Sequence, residues 1–195
     1  MSWLTAFDAH ERWRRRLFRN AREEAEMLLI GRPVPTQEAY MMLGRLLGTL
    51  PPAAIFYRIF GEAMLDADSW FIFLPLCVLM NLACRLVGRW MGRVLGVWMD
   101  DIERRTWGGT IFLAALVGLL WGVLTGGAGG LVFFGFGAIF GVFCAVPVGV
   151  LAFAAFASLH RLLARGGMIE EAHLRPLAWG VAAVIAALIL SPRIF

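Results

Sequence analysis

Four polar residues inside an otherwise apolar stretch are the first candidates for chemistry in this sequence of 195 residues. They recur at four-residue spacing, which places them in one stripe on a helix, and they are Asn81, Arg85, Arg89 and Arg93. Charges at membrane depth are costly, so a buried Arg85 would need a carboxylate, a headgroup phosphate or water; Glu62 is a candidate partner. In the alternative interpretation the helix emerges into the headgroup region here, and its arginines extend outward into water. The stripe is therefore a candidate contact for a lipid headgroup, an anion or a partner protein.

The remaining polar residues do not combine into a catalytic or cofactor site. Glu170, Glu171 and Arg175 have the Glu-Glu-x-x-x-Arg spacing of intramembrane CAAX-type proteases. That family completes its site with later histidines and an asparagine, and neither residue type follows Arg175. His160 has no acidic residue three or four positions later, so a metal site shared with His173 is not expected, and both histidines are expected at the membrane surface. We predict no catalytic, metal-binding or cofactor-binding residue, and therefore no enzyme.

The composition indicates a polytopic membrane protein. Hydrophobic residues make up 60% and charged residues 16% of the chain, and the mean hydropathy is +0.73, whereas soluble domains carry about 25% charged residues. All basic residues other than histidine are arginines, which is typical of a GC-rich bacterial genome, so we expect the bacterial inner membrane. The cysteines lack Cys-x-x-Cys spacing and are expected to be small core residues; they are Cys77, Cys84 and Cys144.

The stretch from Thr106 to Leu159 contains no Asp, Glu, Lys, Arg or His. A run of this length predicts two membrane-spanning helices, and the cluster from Gly126 to Gly130 predicts the tight turn between them. Glycine at four-residue spacing lets helices approach closely, either within one bundle or around a pore in a homo-oligomer. The glycines of these stripes are Gly88, Gly92, Gly96, Gly118, Gly122, Gly126, Gly130, Gly137, Gly141 and Gly149.

Residues 1–35 predict a basic amphipathic helix followed by a linker. Four of its arginines are expected to dock on anionic lipid or on a cytoplasmic partner; they are Arg12, Arg15, Arg16 and Arg19. A nucleic acid is not expected as a partner, because several glutamates dilute the positive charge. The segment from Gly31 to Pro35 breaks the helix, and Thr36 begins a transmembrane bundle over residues 36–195.

Arginine is concentrated in three places, which are the N-terminal segment, residues 85–105 and residues 161–175. Cytoplasmic loops carry the excess of positive charge, so all three should lie on one side of the membrane. An even number of crossings must then precede Arg89, although Pro51 and Pro52 interrupt the first of them. We therefore predict an all-α fold, a polytopic transmembrane bundle with the N-terminus in the cytoplasm and the C-terminus outside. Its five crossings are expected at about 41–65, 70–87, 110–126, 131–150 and 177–191.

These features favour a non-catalytic membrane subunit or scaffold of a larger assembly, packed through glycine-rich helix faces. The expected partners are membrane lipids, anionic ones in particular, and other membrane subunits or further copies of the chain. The alternative is a homo-oligomeric channel or permease for ions or small solutes, with the Arg85 stripe near an ion or anion path. A membrane enzyme that acts on lipid phosphates through its arginines is a third hypothesis.

Overall fold

The computed structural model describes residues 32–65, 70–103, 105–133, 135–164 and 167–191, and these ranges are almost entirely helical. The prediction of an all-α fold is confirmed; the only strands in the described ranges are two of three residues each. The N-terminal helix and its docking arginines, Arg12, Arg15, Arg16 and Arg19, lie outside the described residues. In chain order the elements are β1 (Pro33–Pro35), α1 (Thr36–Leu47), α2 (Leu50–Leu65), α3 (Trp70–Glu103), α4 (Trp107–Leu131), α5 (Phe136–Leu163), β2 (Met168–Glu170) and α6 (Glu171–Leu190).

Four of these helices, α3 to α6, are long and apolar enough to cross a membrane. They overlap the four predicted crossings from residue 70 onward, and each helix is longer than the predicted crossing. Helix α3 has 34 residues, which is about 51 Å at about 1.5 Å per residue. It continues past residue 87, the predicted end of the crossing, and includes Arg89 and Arg93.

Helices α4 and α5 form a hairpin packed through glycine. Backbone atoms meet at Gly118 and Gly149, and again at Gly130 and Gly137, so a Cβ atom at any of these positions would overlap the opposite chain. The predicted turn over residues 126–130 is wrong, because these residues are helical and belong to α4. The chain reverses after α4 instead, where Gly135 has a φ angle of 58°, a conformation that glycine adopts without a steric penalty.

The predicted first crossing, residues 41–65, consists of the two helices α1 and α2 with a break at Gly48 and Thr49. Pro51 and Pro52 lie in the first turn of α2, where a missing backbone N–H leaves no helical hydrogen bond unmade. Together the two helices run antiparallel to α3. Gln37 contacts Gly96 at one end of this pairing, and the ring of Phe60 stacks on Phe73 at the other, with centroids 5.3 Å apart.

Helix α6 runs beside α1 and α2 over a similar length. At its start, the Glu171 N–H donates to the Arg32 carbonyl (3.1 Å), next to the antiparallel pair β1–β2. At its end, the Arg58 guanidinium donates to the carbonyls of Ile189 and Ser191, both at 2.8 Å. Helix α6 begins at Glu171, six residues before the predicted start of the last crossing at 177.

Candidate functional site

The stripe of four polar residues faces two environments in the structure. Asn81 is turned inward, and its side-chain amide donates to the Thr49 carbonyl (3.0 Å) at the break between α1 and α2. Arg85, Arg89 and Arg93 are exposed, because the adjacent glycine stripe of α3, and not the arginine stripe, packs against α1. We refer to these three arginines as the arginine face.

The suggested partner of Arg85, Glu62, is not close to it. Helix α2 passes the start of α3 where Phe60 stacks on Phe73, twelve residues before Arg85, a separation of about 18 Å along a helix. Within the described ranges, none of the ion pairs or hydrogen bonds involves the guanidinium groups of the arginine face. The arginine face therefore lacks an anionic partner among these residues.

The level of the arginine face within the bundle follows from contacts between α3 and α4. The Trp121 indole N–H donates to the Gly88 carbonyl (3.2 Å), and the Cys84 thiol donates to the Thr125 carbonyl (3.7 Å). Trp121 lies fourteen residues after the start of α4 and ten before its end, about 21 Å and about 15 Å from the two helix ends. Arg89 of α3, next to Gly88, therefore lies level with the middle of α4, and α4 contains no charged residue. The interpretation that α3 emerges into the headgroups at these arginines stays a prediction, as does the interpretation that the arginines bind a partner.

A fourth arginine lies at the same level and is one that the sequence analysis did not select. Gly44 of α1 touches Gly88 of α3 backbone to backbone, so the next residues, Arg45 and Arg89, are level with each other. Arg45 is also exposed. Its sequence signal is weak, because an isolated arginine on a short helix is ordinary at a surface; only the packing of α1 on α3 reveals its depth.

The other outer surfaces of the long helices are apolar. Large exposed side chains include Phe112 on α4, Phe143 and Leu151 on α5, and Val184 on α6. The middle sections of α4, α5 and α6 contain neither acidic nor basic residues. The surface formed by α1 and α3 is therefore distinct among the described surfaces in carrying several charges at mid-height.

A buried polar cluster lies at the end of the bundle where α3 and α5 finish and α1 begins. Glu103 accepts a hydrogen bond from the Tyr40 hydroxyl (2.7 Å), and its other oxygen lies 2.8 Å from Nδ1 of His160. The side chain of His160 is fully buried and that of Glu103 is 9% exposed. His173 is 60% exposed, whereas His160 is enclosed by aromatic rings; the expectation that both lie at the membrane surface stays a prediction.

The buried cluster ties three helices together but offers little for catalysis. With Nδ1 directed at the carboxylate, Nε2 of His160 is buried and has no hydrogen-bond partner among the described residues. The described ranges contain no group of three His, Cys, Asp or Glu side chains that could hold a metal ion. A general base needs a substrate group within reach, and Tyr40, Phe153 and Phe156 surround this site with aromatic rings instead.

At the opposite half of the bundle, an apolar cavity of about 360 Å³ opens between α2, α3, α4 and α5. Phe56, Phe60 and Phe133 line it together with glycines of α4 and α5. Such walls can contact hydrocarbon but offer almost no hydrogen-bonding group. No protein-family model, curated protein or solved structure matches this chain. The arginine face and the buried cluster are therefore the features on which a function can be argued.

Proposed function

We propose that this protein is a non-catalytic subunit of a membrane assembly and that its arginine face contacts another polypeptide within the membrane. One observation carries the proposal: Arg89 is exposed at the level of Trp121, near the middle of uncharged α4. An arginine at the centre of a membrane helix costs about 2.5–3.5 kcal/mol on insertion scales and more in simulations. Three such residues facing lipid would be very unfavourable, so a partner that covers them is the better explanation.

We further propose five crossings in a bacterial inner membrane, with α1 and α2 acting as one broken crossing. The supporting contacts are those that align α1–α2 with α6, from Arg32 and Glu171 at one end to Arg58 and Ser191 at the other. A broken helix is tolerated at membrane depth where protein groups satisfy its polar atoms, as Asn81 does for the Thr49 carbonyl. The arginine-rich end that contains Arg105 is then cytoplasmic.

This topology predicts the sides from which single cysteines react. In a background with the three native cysteines replaced by alanine, cysteines introduced at Arg32 and Arg105 should react with a membrane-impermeant maleimide from the cytoplasmic side. Cysteines at Ser69 and Ser191 should react from the opposite side. Labelling of positions 32 and 69 from the same side would show that α1 and α2 do not cross, and would contradict the five-crossing arrangement.

A homo-oligomeric anion channel is the second candidate, because exposed arginines at mid-height can also line a water-filled path. The glycine stripes do not favour it, since Gly118, Gly122, Gly126 and Gly130 face α5 of the same chain and are not free to line a pore. The channel would therefore have to be formed by the arginine face itself. Anion flux through vesicles that contain only this chain would support this second function over the first.

The subunit proposal predicts a hetero-complex that depends on the arginine face. The assembly would be extracted in mild detergent at native expression level, and its mass measured by native mass spectrometry. We expect a complex heavier than the 21.6 kDa chain, in which other polypeptides are present in a fixed ratio. These polypeptides should be lost in the triple variant Arg85→Gln, Arg89→Gln and Arg93→Gln. They should be retained in the lipid-face control Phe143→Ala. A complex whose mass is a whole multiple of the chain mass would contradict the subunit role. Retention of the other polypeptides in the triple variant would contradict contact through the arginine face.

A further inference from the structure

We propose that the arginine face binds a membrane helix of another polypeptide that carries Asp or Glu at four-residue spacing. This inference rests on the proposed function and names the chemistry of the partner. The three arginines follow one another at about 6 Å along α3, so carboxylates repeated every fourth residue on an adjacent helix can meet them in register. Guanidinium and carboxylate groups form paired, charge-assisted hydrogen bonds, which are among the strongest that side chains make.

A second copy of this chain does not supply that chemistry. Two copies of α3 paired about a two-fold axis would place arginine against arginine, because residues 85–93 contain no acidic residue. The middle sections of α4, α5 and α6 contain none either. Glu38 and Glu62 lie near the two ends of the α1–α2 pair, and Glu103 is bound to Tyr40 and His160. Within the described ranges, therefore, this chain offers no carboxylate level with Arg89, and we place the anionic partner on another polypeptide.

Lipid headgroup phosphates are not the expected anionic partner of the arginine face. The headgroup phosphates lie outside the hydrocarbon layer, which is about 30 Å thick, and Arg89 is about 15 Å from the nearer end of α4. A long arginine side chain can reach toward the headgroups from near a helix end, but Arg85, Arg89 and Arg93 lie on both sides of the middle. A protein carboxylate at the same depth needs no such extension.

The surface beside the arginine face is suited to helix packing. Leu82, Leu86 and Trp90 form an adjacent stripe at four-residue spacing, and they are 49%, 59% and 62% exposed. A partner helix that seats its carboxylates on the arginines would cover this apolar stripe at the same time. The arrangement combines an apolar contact that gives area with charge pairs that fix the register.

The test uses the full chain in phosphatidylcholine vesicles with synthetic transmembrane peptides of leucine and alanine. One peptide carries three central glutamates at four-residue spacing, and its matched control carries glutamines. Förster transfer between labelled peptide and labelled protein reports association. We expect the glutamate peptide to bind about tenfold more tightly than the glutamine peptide, a difference of about 1.4 kcal/mol, which is of the order measured for interhelical hydrogen bonds of polar side chains in membranes.

The variants separate charge pairing from other contacts. The triple variant of Arg85, Arg89 and Arg93 to glutamine should bind both peptides alike, whereas replacement of the same three residues by lysine should retain a preference for glutamate. Removal of exposed charges leaves the packed faces of α3 intact, and the level of monodisperse protein checks this. Phe143→Ala on α5 should behave as the unaltered chain does.

Three results would overturn the inference. Equal binding of the two peptides to the unaltered chain would exclude recognition by carboxylates. Förster transfer between two labelled copies of the protein, in vesicles without peptide, would indicate self-association. If the glutamine triple variant abolished that transfer, the arginine face would be assigned to a second copy of the chain. Anion flux in the same vesicles would assign it to a water-filled path.

Native mass spectrometry separates this inference from the proposed function. If the native complex keeps its partner polypeptide in the glutamine triple variant, the acidic helix is wrong while the subunit role stands. If no partner is found, both fail.

Discussion

Replacement of Gly118 by alanine is expected to destabilise the bundle, and replacement by leucine is expected to leave little folded protein. The carbonyl of Gly149 occupies the position that a Cβ atom on Gly118 would take, and the Cβ of Phe153 lies 3.0 Å from the same point. Because the obstruction is backbone, a rotamer change cannot relieve it, and α4 and α5 must separate. Overpacking a core costs about 1–3 kcal/mol, and we expect the alanine variant at the upper end of that range.

Gly127 provides the matched control on the same helix. A Cβ atom there would meet only a methyl group of Val142 at 3.7 Å, an ordinary contact. Thermal unfolding in detergent should therefore show a midpoint lowered by about 5 °C or more for Gly118→Ala, with no comparable loss for Gly127→Ala. A similar midpoint for the two variants would show that the α4–α5 hairpin does not depend on the close approach at Gly118.

The same glycines explain where the sequence-based prediction of the fold succeeded and failed. The absence of charge between Arg105 and His160 correctly predicts two apolar helices. The cluster at 126–130 predicts the turn between them, because adjacent glycines are typical of turns. Glycine at every fourth residue is equally typical of close helix packing, and in the structure Gly126 and Gly130 pack against α5. Local sequence offers both interpretations, and only the position of α5 decides between them.

The depth of the arginines shows a second limit of sequence reasoning. A hydropathy pattern ends a predicted crossing at the first group of charges, which placed the end of the second crossing at residue 87. The register of α3 against α4 is set instead by tertiary contacts, among them the hydrogen bond from Trp121 to Gly88. No local pattern carries that register. This register places Arg85 and Arg89 level with the middle of α4.

The buried cluster could not be assembled from the sequence for a related reason. Glu103 and His160 are separated by 57 residues and each lies at the end of a long helix, where charged residues are usually solvated. Tyr40 contributes from a helix that the hydrophobic pattern alone did not define. Each of the three residues is unremarkable in its own segment, and the parallel placement of three helix ends gives them their common environment.

This cluster leads to the second large effect, which is the loss of stability expected for Glu103→Ala. The substitution removes the acceptor of both the Tyr40 hydroxyl and Nδ1 of His160, and both residues are fully buried. A buried donor that loses its acceptor costs about 1–3 kcal/mol, and here two donors lose theirs. We therefore expect the thermal midpoint in detergent to fall by about 10 °C. Glu103→Gln, which keeps an acceptor for Tyr40, should lose less.

An exposed glutamate in an ion pair at the same end of the bundle supplies the comparison. Glu171 pairs with Arg175 at the start of α6, where their side chains are 37% and 67% exposed, and exposed pairs contribute about 0–1 kcal/mol. Glu171→Ala should therefore change the midpoint little. A double-mutant cycle of Glu103→Ala with Tyr40→Phe should show coupling, because the hydroxyl has no acceptor once the carboxylate is gone. Equal effects of the two glutamate substitutions, or strict additivity in the cycle, would show that burial of Glu103 does not hold α1, α3 and α5 together.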